Sequence, residues 1–370
     1  MKIAFWHFHT FRLRRGIETL IISLSNSLVK KGHEASIISA SKFMEPLIQP
    51  APAVKVYTYP TGRYFKYLTV LPFYGQHFLK HSYDHIVVFF ADYGEGPTWK
   101  FVSHFKELPL TLYLCYPYSS VPHRYHSFRK YGWGAVAKRI LADATWIADE
   151  AQGFFRRSVS VLPVGTDPDY FSPNPLTRKM LRQKFGFSDN DIVVIHVSAL
   201  EDRKGTWKGI KAVQRLSQSI PRLRYFILGK GKNEPDLRRA VLDFQLEDKI
   251  YFGGETVSLA DYYNMADIFM MLPDDEGNSV ACHEAMSCGL PVIVSNTEGF
   301  IETVPQEAGL LINPAHENEI DQAIIRLATD ADLRNRMGQA GRVYVQKNST
   351  WDHAADRFLG YLTQKPSKNE

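Results

Sequence analysis

A chain of 370 residues that is 45% hydrophobic and 22% charged has the composition of an ordinary globular protein, long for one core and comfortable for two. Its three cysteines, Cys115, Cys282 and Cys288, form no CxxC pair and no even framework, which argues against a structural zinc site and for a reducing compartment; the start lacks the apolar core of a secretion signal, and no apolar run approaches the ~18 residues needed to cross a bilayer, so a cytoplasmic location is expected. Residues 1–170 hold 20 Lys and Arg against 12 Asp and Glu while the remainder holds 24 against 27, so the basic first half either meets something anionic or carries scattered solvated charge.

The opening predicts a strand at Lys2–Phe8, then a helix in which Ile17, Leu20, Ile21, Leu24 and Leu28 recur at helical spacing, closed by Lys30, Lys31 and Gly32. Ala35–Ser39 reads as a second strand, and this βαβ start implies a parallel sheet covered by helices. Further strands are expected at Val54–Tyr57, Ile86–Phe90, Leu110–Cys115 and Trp146–Ala148. Pro, Asp and Asn crowd the region from Thr166 to Asn190, which reads as a linker between domains. A second alternating series starts with a strand at Ile192–Val197 and a helix at Trp207–Ile220. Strands at Tyr225–Leu228, Ile250–Phe252, Ile268–Leu272, Val292–Val294 and Leu310–Ile312 follow, with helices at about 234–244, 258–266, 279–288, 317–328 and 331–347 between and after them. Trp351–Leu362 is a last amphipathic helix. The expected organisation is an α/β domain over 1–170, a linker over 171–190 and a second α/β domain over 191–350, with 351–364 available to complete the first.

The stretch Glu276-Gly-Asn-Ser-Val-Ala-Cys-His-Glu284 carries the most chemistry. A strand, a tight turn and a helix N-terminus make an anion site, because free backbone N–H groups and the helix dipole both favour negative charge. Asn278 or Ser279 suits the cap, leaving donors near residues 278–280 for a phosphate. A carboxylate at each edge, Glu276 before the turn and Glu284 beyond the first helical turn, suits hydroxyl groups on either side of that phosphate. Taken alone, such a pair is more often two solvated acids; the strand before it, and Gly289-Leu290-Pro291 with a strand after it, favour a sugar-nucleotide pocket.

Asp267–Ser295 resembles the signature of retaining GT-B glycosyltransferases of the "group 1", or family 4, type. The resemblance extends over most of the second half, through Lys204-Gly205, Leu228-Gly229-Lys230-Gly231 and Tyr262–Asp267, and includes Pro163–Phe171 as an interdomain segment. The first half matches loosely, at Arg15-Gly16-Ile17-Glu18 and Gly32-His33-Glu34. The resemblance implies a GT-B fold: two Rossmann-like domains facing across a cleft, with the C-terminal helix crossing back to the first. It implies that Glu276 contacts the donor sugar, that Glu284 binds ribose, that Gly277, Asn278, Ser279 and Val280 approach the sugar and diphosphate, and that Lys204 stabilises the departing phosphate. Charge does build on the β-phosphate oxygens as that bond breaks, and a fixed cation with helix N–H donors would meet it.

The chain departs from the family's pattern in two places. The Arg usually found five or six residues before the Lys is replaced by Ala199 and Ser198; Arg203 either substitutes for it or is surface charge. The strand Leu110–Cys115 runs into Tyr116-Pro117-Tyr118 with no His before His123, so His123 and His126 are only candidates for the first domain's sugar contact, and Tyr116 is a candidate acceptor or cleft residue. Arg14, Arg15 and Gly16, between a strand and a helix, either approach an anionic ligand or form a plain connection. Gly229-Lys230-Gly231 is too short for a dinucleotide fingerprint and reads as a turn near the nucleotide, with Gly253–Thr256 as a base-facing loop. Tyr116, Tyr118, Tyr125, Phe128, Tyr131 and Trp133 suit stacking on acceptor sugars, and Tyr64–Phe78, with Arg63 and Lys66, suits a membrane surface; core packing is the commoner fate of both sets. Asp167-Pro-Asp169 is explained by turn chemistry rather than by a metal.

The expectation is therefore a retaining hexosyltransferase working without metal or other cofactor, because cations and helix donors already serve the diphosphate. Its donor would be a UDP- or GDP-sugar. Its acceptor would be a glycan or lipid-linked glycan in surface polysaccharide, lipopolysaccharide or glycolipid assembly, with peripheral membrane association and no nucleic-acid partner. The alternatives are a sugar-nucleotide epimerase of similar fold and a non-catalytic glycan- or nucleotide-binding partner.

Overall fold

The computed structural model describes residues 1–11, 16–40, 46, 48–60, 66–89, 108–116, 118–119 and 137–364, with no side chains for 66–71. The chain divides into two compact units, Met1–Val164 with Trp351–Glu370, and Gly165–Thr350.

In the first unit, β1 (Lys2–Trp6), β2 (Glu34–Ala40), β3 (Lys55–Tyr59), β4 (His85–Phe89), β5 (Leu110–Leu114), β6 (Arg139–Ala142) and β7 (Ser160–Val161) form one sheet in the order β3-β2-β1-β4-β5-β6-β7. Every pairing is parallel, so both faces need cover and the strands read as continuous apolar runs, as Phe5, Val87 and Leu112 show by being buried. The helices described here are α1 (Gly16–Lys30), α2 (Lys66–Lys80), α3 (Thr145–Phe155) and, from the far end of the chain, α12 (Trp351–Thr363). α12 packs on α1 through Lys30–Asp352 at 3.3 Å and Lys31–Asp356 at 2.8 Å, and sets Phe358 against Phe5 with ring centroids 6.1 Å apart. The second unit's sheet repeats the pattern: β8 (Ile192–Val197), β9 (Leu223–Leu228), β10 (Ile250–Gly254), β11 (Ile268–Met271), β12 (Val292–Ser295) and β13 (Gly309–Ile312), in the order β10-β9-β8-β11-β12-β13 and again parallel. Its helices are α4 (Pro175–Phe185), α5 (Thr206–Leu216), α6 (Glu234–Asp243), α7 (Leu259–Met265), α8 (Val280–Ser287), α9 (Glu298–Thr303), α10 (Glu317–Thr329) and α11 (Ala331–Asn348). Both sheets are doubly wound. In each, the strand order reverses beside the first strand, between β1 and β4 and between β8 and β11, and such a reversal opens a crevice at the C-terminal edge of the sheet. Among the described residues no helix is long and apolar enough to cross a membrane.

Two local expectations change. Trp146–Ala148 is helix, not strand: Ile147, Ala148 and Ala151 lie on the buried face of α3, and a three-residue apolar run cannot distinguish the two periodicities. The strand of that region is β6, just before it. The segment 171–190 is not a bare linker. Asn174 caps α4 by accepting from Thr177 N at 3.1 Å, Pro175 occupies the first turn and Gly186 closes the helix in the left-handed conformation. α4 is then clamped to the sheet. Arg182, 2% exposed, donates to the carbonyls of Met265, Ser188 and Asp191 at 3.1, 2.6 and 2.6 Å, and pairs with Asp267 at 3.1 Å. Asp267 also takes Arg178 at 2.6 Å and accepts the Val193 N–H at 2.7 Å, tying the starts of β8 and β11 to the helix.

Two aromatic residues of the run expected to suit a membrane surface are interior. Tyr74 and Phe78 are buried and pack on Trp6, with ring centroids 5.0 and 4.7 Å away, while Phe73 is 38% exposed. Arg63, Tyr64 and Phe65 lie outside the described residues.

Removing the Arg182 guanidinium takes a buried donor from the Met265, Ser188 and Asp191 carbonyls and leaves Asp267 with Arg178 and the Val193 N–H. Arg182→Ala should therefore cost about 2–3 kcal/mol, read as a lowered urea midpoint of the second unit. Arg182→Lys should recover only part of it, because one ammonium cannot reproduce the planar fork.

Candidate functional site

At the C-terminal edge of the second sheet, the loops leaving β8 and β11 meet across the point where strand order reverses. The β8 loop makes a 3-10 turn over Asp202–Lys204 and then Gly205, at φ 72°. A Cβ on Gly205 would lie 1.9 Å from the carbonyl oxygen of Leu272, the residue following β11, so only glycine lets the two backbones touch. That contact delivers Lys204 to the β11 side: its Nζ lies 2.6 Å from Glu276 Oε2, and the two side chains are 11% and 14% exposed. Glu276 is held from the other side as well. A Cβ on Gly299, in the first turn of α9, would sit 1.8 Å from Gly277 O and 2.3 Å from Glu276 O. Gly299 is a residue that sequence reasoning passed over; its sign is a glycine shortly after a parallel strand.

Beyond Glu276 the chain enters α8. Ser279, 5% exposed, caps it by accepting from Cys282 N at 3.4 Å, and the N–H groups of Val280 and Ala281, in the first turn, have no intrahelical partner. Asn278 Oδ1 is buried and accepts no hydrogen bond, as is Thr297 Oγ1 at the start of α9. An unmatched buried polar atom costs about 1–3 kcal/mol, and Asn278 stands two residues from Glu276.

Glu284 lies inside α8, 4% exposed, and accepts from the Tyr263 hydroxyl of α7 at 3.0 Å. Burial raises its carboxyl to about 8, against a smaller opposing effect of the Tyr263 bond. Tyr263 is a second residue that the sequence did not single out, lying within the family-like stretch Tyr262–Asp267 with no role assigned to it. The two acids are thus differently employed. Glu276 is paired with a lysine; Glu284 is buried against a phenol. His283, between Ser279 and Glu284 along the helix, donates from Nδ1 to Ser279 O at 3.0 Å and is held down to about 4 by burial. His196, under the β8 loop, is likewise held to about 4 by burial and lies 2.7 Å from Ser198 Oγ and 3.0 Å from Thr206 Oγ1.

Arg203 faces acids: Asp275 at 3.5 Å and Glu201 at 3.8 Å. Gly229, at φ 133°, ends β9 so close to β8 that a Cβ would lie 1.8 Å from Ser198 O. In the first unit, Gly16 opens α1 and Tyr116 sits half-buried two residues past β5. Tyr118 stacks on Phe154 with ring centroids 5.3 Å apart. Arg14, Arg15, His123, His126, Tyr125, Phe128, Tyr131 and Trp133 lie outside the described residues. A groove of about 640 Å³ along β13, between Ile301 and Arg326, shares no residue with this site.

Residues 177–344 match the family described as "Glycosyl transferases group 1". A GDP-mannose-dependent monoacylated alpha-(1-6)-phosphatidylinositol monomannoside mannosyltransferase of Corynebacterium glutamicum is 29% identical over 257 residues, 67% of this chain and 68% of that protein. A GDP-mannose-dependent alpha-(1-6)-phosphatidylinositol monomannoside mannosyltransferase of Mycobacterium tuberculosis is 30% identical over 215 residues, 55% of this chain and 56% of that protein, so the match spans little more than half of its length. Among solved structures, Anabaena HepE in complex with UDP and glucose superposes with a TM-score of 0.81 at 19% identity, covering 98% of this chain and 100% of that one. WaaG, a glycosyltransferase involved in lipopolysaccharide biosynthesis, does so at 0.76 and 16%, covering 98% and 99%. At these identities the structural likeness establishes the fold, which is GT-B.

A carboxyl raised from 4.5 to about 8 by burial holds its proton in the folded chain while the unfolded chain releases it, so its contribution to stability is complete below pH 4.5 and is lost as pH rises through 8. Glu284→Gln should flatten that decline. The variant should be more stable than the parent at pH 8.5, with the difference shrinking toward pH 4.5, as read from urea midpoints across the range.

Proposed function

We propose, from the match of residues 177–344 to the glycosyl transferases group 1, that this chain is a member of that family and moves a hexose from a nucleoside-diphosphate sugar to an acceptor hydroxyl, keeping the anomeric configuration. The observation that carries this reading is the Lys204–Glu276 pair at 2.6 Å across the strand-order reversal, beside the N-terminus of a capped helix. A donor diphosphate would lie over the free N–H groups of Val280 and Ala281, with Lys204 against its β-phosphate. The sugar would be held by Glu276, and one of its hydroxyls would donate to the unmatched Asn278 Oδ1. Glu284, largely protonated at neutral pH, would offer the ribose diol both a donor and an acceptor.

In the transfer, the bond from sugar C1 to the β-phosphate oxygen breaks with its electron pair left on that oxygen. The acceptor oxygen forms a new bond to C1 on the same face, and its proton passes to the departing phosphate. The chain's contribution is alignment and charge stabilisation. Because a lysine and helix donors would meet the diphosphate charge in this reading, we assign no metal to the reaction. The Corynebacterium and Mycobacterium relatives are named for GDP-mannose and for phosphatidylinositol mannoside acceptors. A GDP-linked hexose and a glycolipid or lipid-linked glycan are accordingly the substrates we favour, and a peripheral position at a membrane surface fits such an acceptor.

A thermal-shift screen tests the donor. GDP-mannose should raise the unfolding temperature more than UDP-glucose at equal concentration, since only a ligand of the folded state does so. Glu276→Gln and Lys204→Ala should each lower kcat/KM for transfer by about 10²- to 10³-fold without shifting the far-UV spectrum. Wild-type turnover in both variants, or a product of inverted configuration by NMR, would contradict the reading.

A further inference from the structure

The edge of the second sheet that holds the candidate site is rich in cations, and nearly all are already committed. Arg203 faces Asp275 and Glu201, Lys204 bonds Glu276 at 2.6 Å, Lys208 bonds Asp274 at 2.6 Å and Lys232 bonds Asp202 at 2.6 Å. A diphosphate arriving there brings negative charge to loops whose positive charge is matched by carboxylates. Among the described residues, the cation on these loops without such a pair is Lys230, which leaves the end of β9 exposed to solvent.

Its backbone is fixed with unusual tightness for an exposed turn. Gly229 packs on Ser198 O, and a Cβ on Gly231 would lie 2.2 Å from Leu200 O, so neither flanking residue tolerates a side chain. Leu200 N donates to Lys230 O at 3.0 Å, and Gly229 N to Gly254 O at 2.8 Å. The Lys230 stem passes Gly254, with Cε 3.9 Å from where a Cβ would stand on that residue, itself at φ 67°. The main chain is therefore pinned between the loops leaving β8 and β10, and only the ammonium is free to move. Directly alongside, between Ser198 and Leu200, stands Ala199, which offers no charge.

We propose that Lys230 is the second cation for the donor's diphosphate, meeting its non-bridging oxygens from the β9 side while Lys204 meets them from the β8 side. This rests on the reading of the site as one for a nucleoside-diphosphate sugar. It also gives Ala199 an explanation: the charge sits one strand over, on a flexible four-carbon arm, and Arg203 remains with its acids. A flexible arm of this kind favours a role in capturing and releasing the charged part of the donor.

Calorimetric titration of the full chain with GDP, UDP and the corresponding free nucleosides tests the assignment. Lys230→Met should weaken nucleoside diphosphate binding by about 10- to 100-fold, as loss of a charge-assisted contact does, while leaving nucleoside binding and the urea midpoint unchanged. Lys230→Arg should recover most of the loss. Lys232→Met removes the same net charge from the neighbouring, ion-paired position and should bind as the parent does. The proposal fails if Lys230→Met binds diphosphates normally, if nucleoside binding falls equally, or if Lys232→Met is equally weakened, which would mean a diffuse field. A parent chain that is folded yet binds no nucleoside diphosphate overturns the reading of the site itself, and this assignment with it.

Discussion

Backbone touching backbone at Gly205 and Leu272 is the contact on which the candidate site depends. In a doubly wound parallel sheet, all loops that follow strands emerge at one edge, and those on either side of the order reversal diverge to opposite faces. Something must then bring the β8 and β11 loops back together. Here the absence of a side chain at Gly205 does it, and Lys204 reaches Glu276 at 2.6 Å as a consequence. A second close approach, Gly299 on Gly277, holds the acid from behind. A pair so little exposed offers weak stability, since desolvation offsets much of the attraction. In the proposed transfer its worth would lie in presenting a cation and a carboxylate already oriented, with no reorganisation left for the moment of reaction.

Stability is concentrated at the other end of the same two strands. Asp267 stands just before β11 and accepts from Val193 near the start of β8, while Arg178 and Arg182 tie it to α4. The scaffold is therefore anchored where the strands begin, and the polar, partly unmatched groups stand where they end. That division lets the C-terminal edge carry costs such as the unmatched Asn278 Oδ1 and the buried Glu284 carboxyl. Comparable close packing recurs away from the site: a Cβ on Gly338 of α11 would meet Gly289 O at 1.9 Å, which fixes the end of α8 and with it the direction of its N-terminus.

Much of this was legible in the residues. The alternation of short β-branched runs with helical periodicity gave both sheets, and Glu276-Gly-Asn-Ser followed by a helix marked an anion site on local grounds. Ambiguity entered where a signal was short or its meaning depended on a partner. Trp146–Ala148 carried too few residues to separate two periods. The Pro and Asn of 171–190 read as linker composition, yet they are the start signals of α4, whose arginines find Asp267 about 85 residues away. Tyr263 lay within the family-like stretch Tyr262–Asp267 with no role of its own, and only the fold sets its hydroxyl against Glu284; for Arg203 the residues left a phosphate ligand and surface charge both open, and the fold places Asp275 and Glu201 beside it.

Period, capping and turn chemistry act over a few residues, so the chain alone determined its α/β class, the order of its elements and the family signature around Glu276 and Lys204. Contacts such as Glu284–Tyr263 and Lys204–Glu276 act through space between residues 21 and 72 apart in sequence, and no local pattern records them. Only the folded sheet decided that Lys204 belongs to Glu276, that Glu284 is buried against Tyr263 with its carboxyl raised by that burial, and that Lys230 is left without a carboxylate among the described residues.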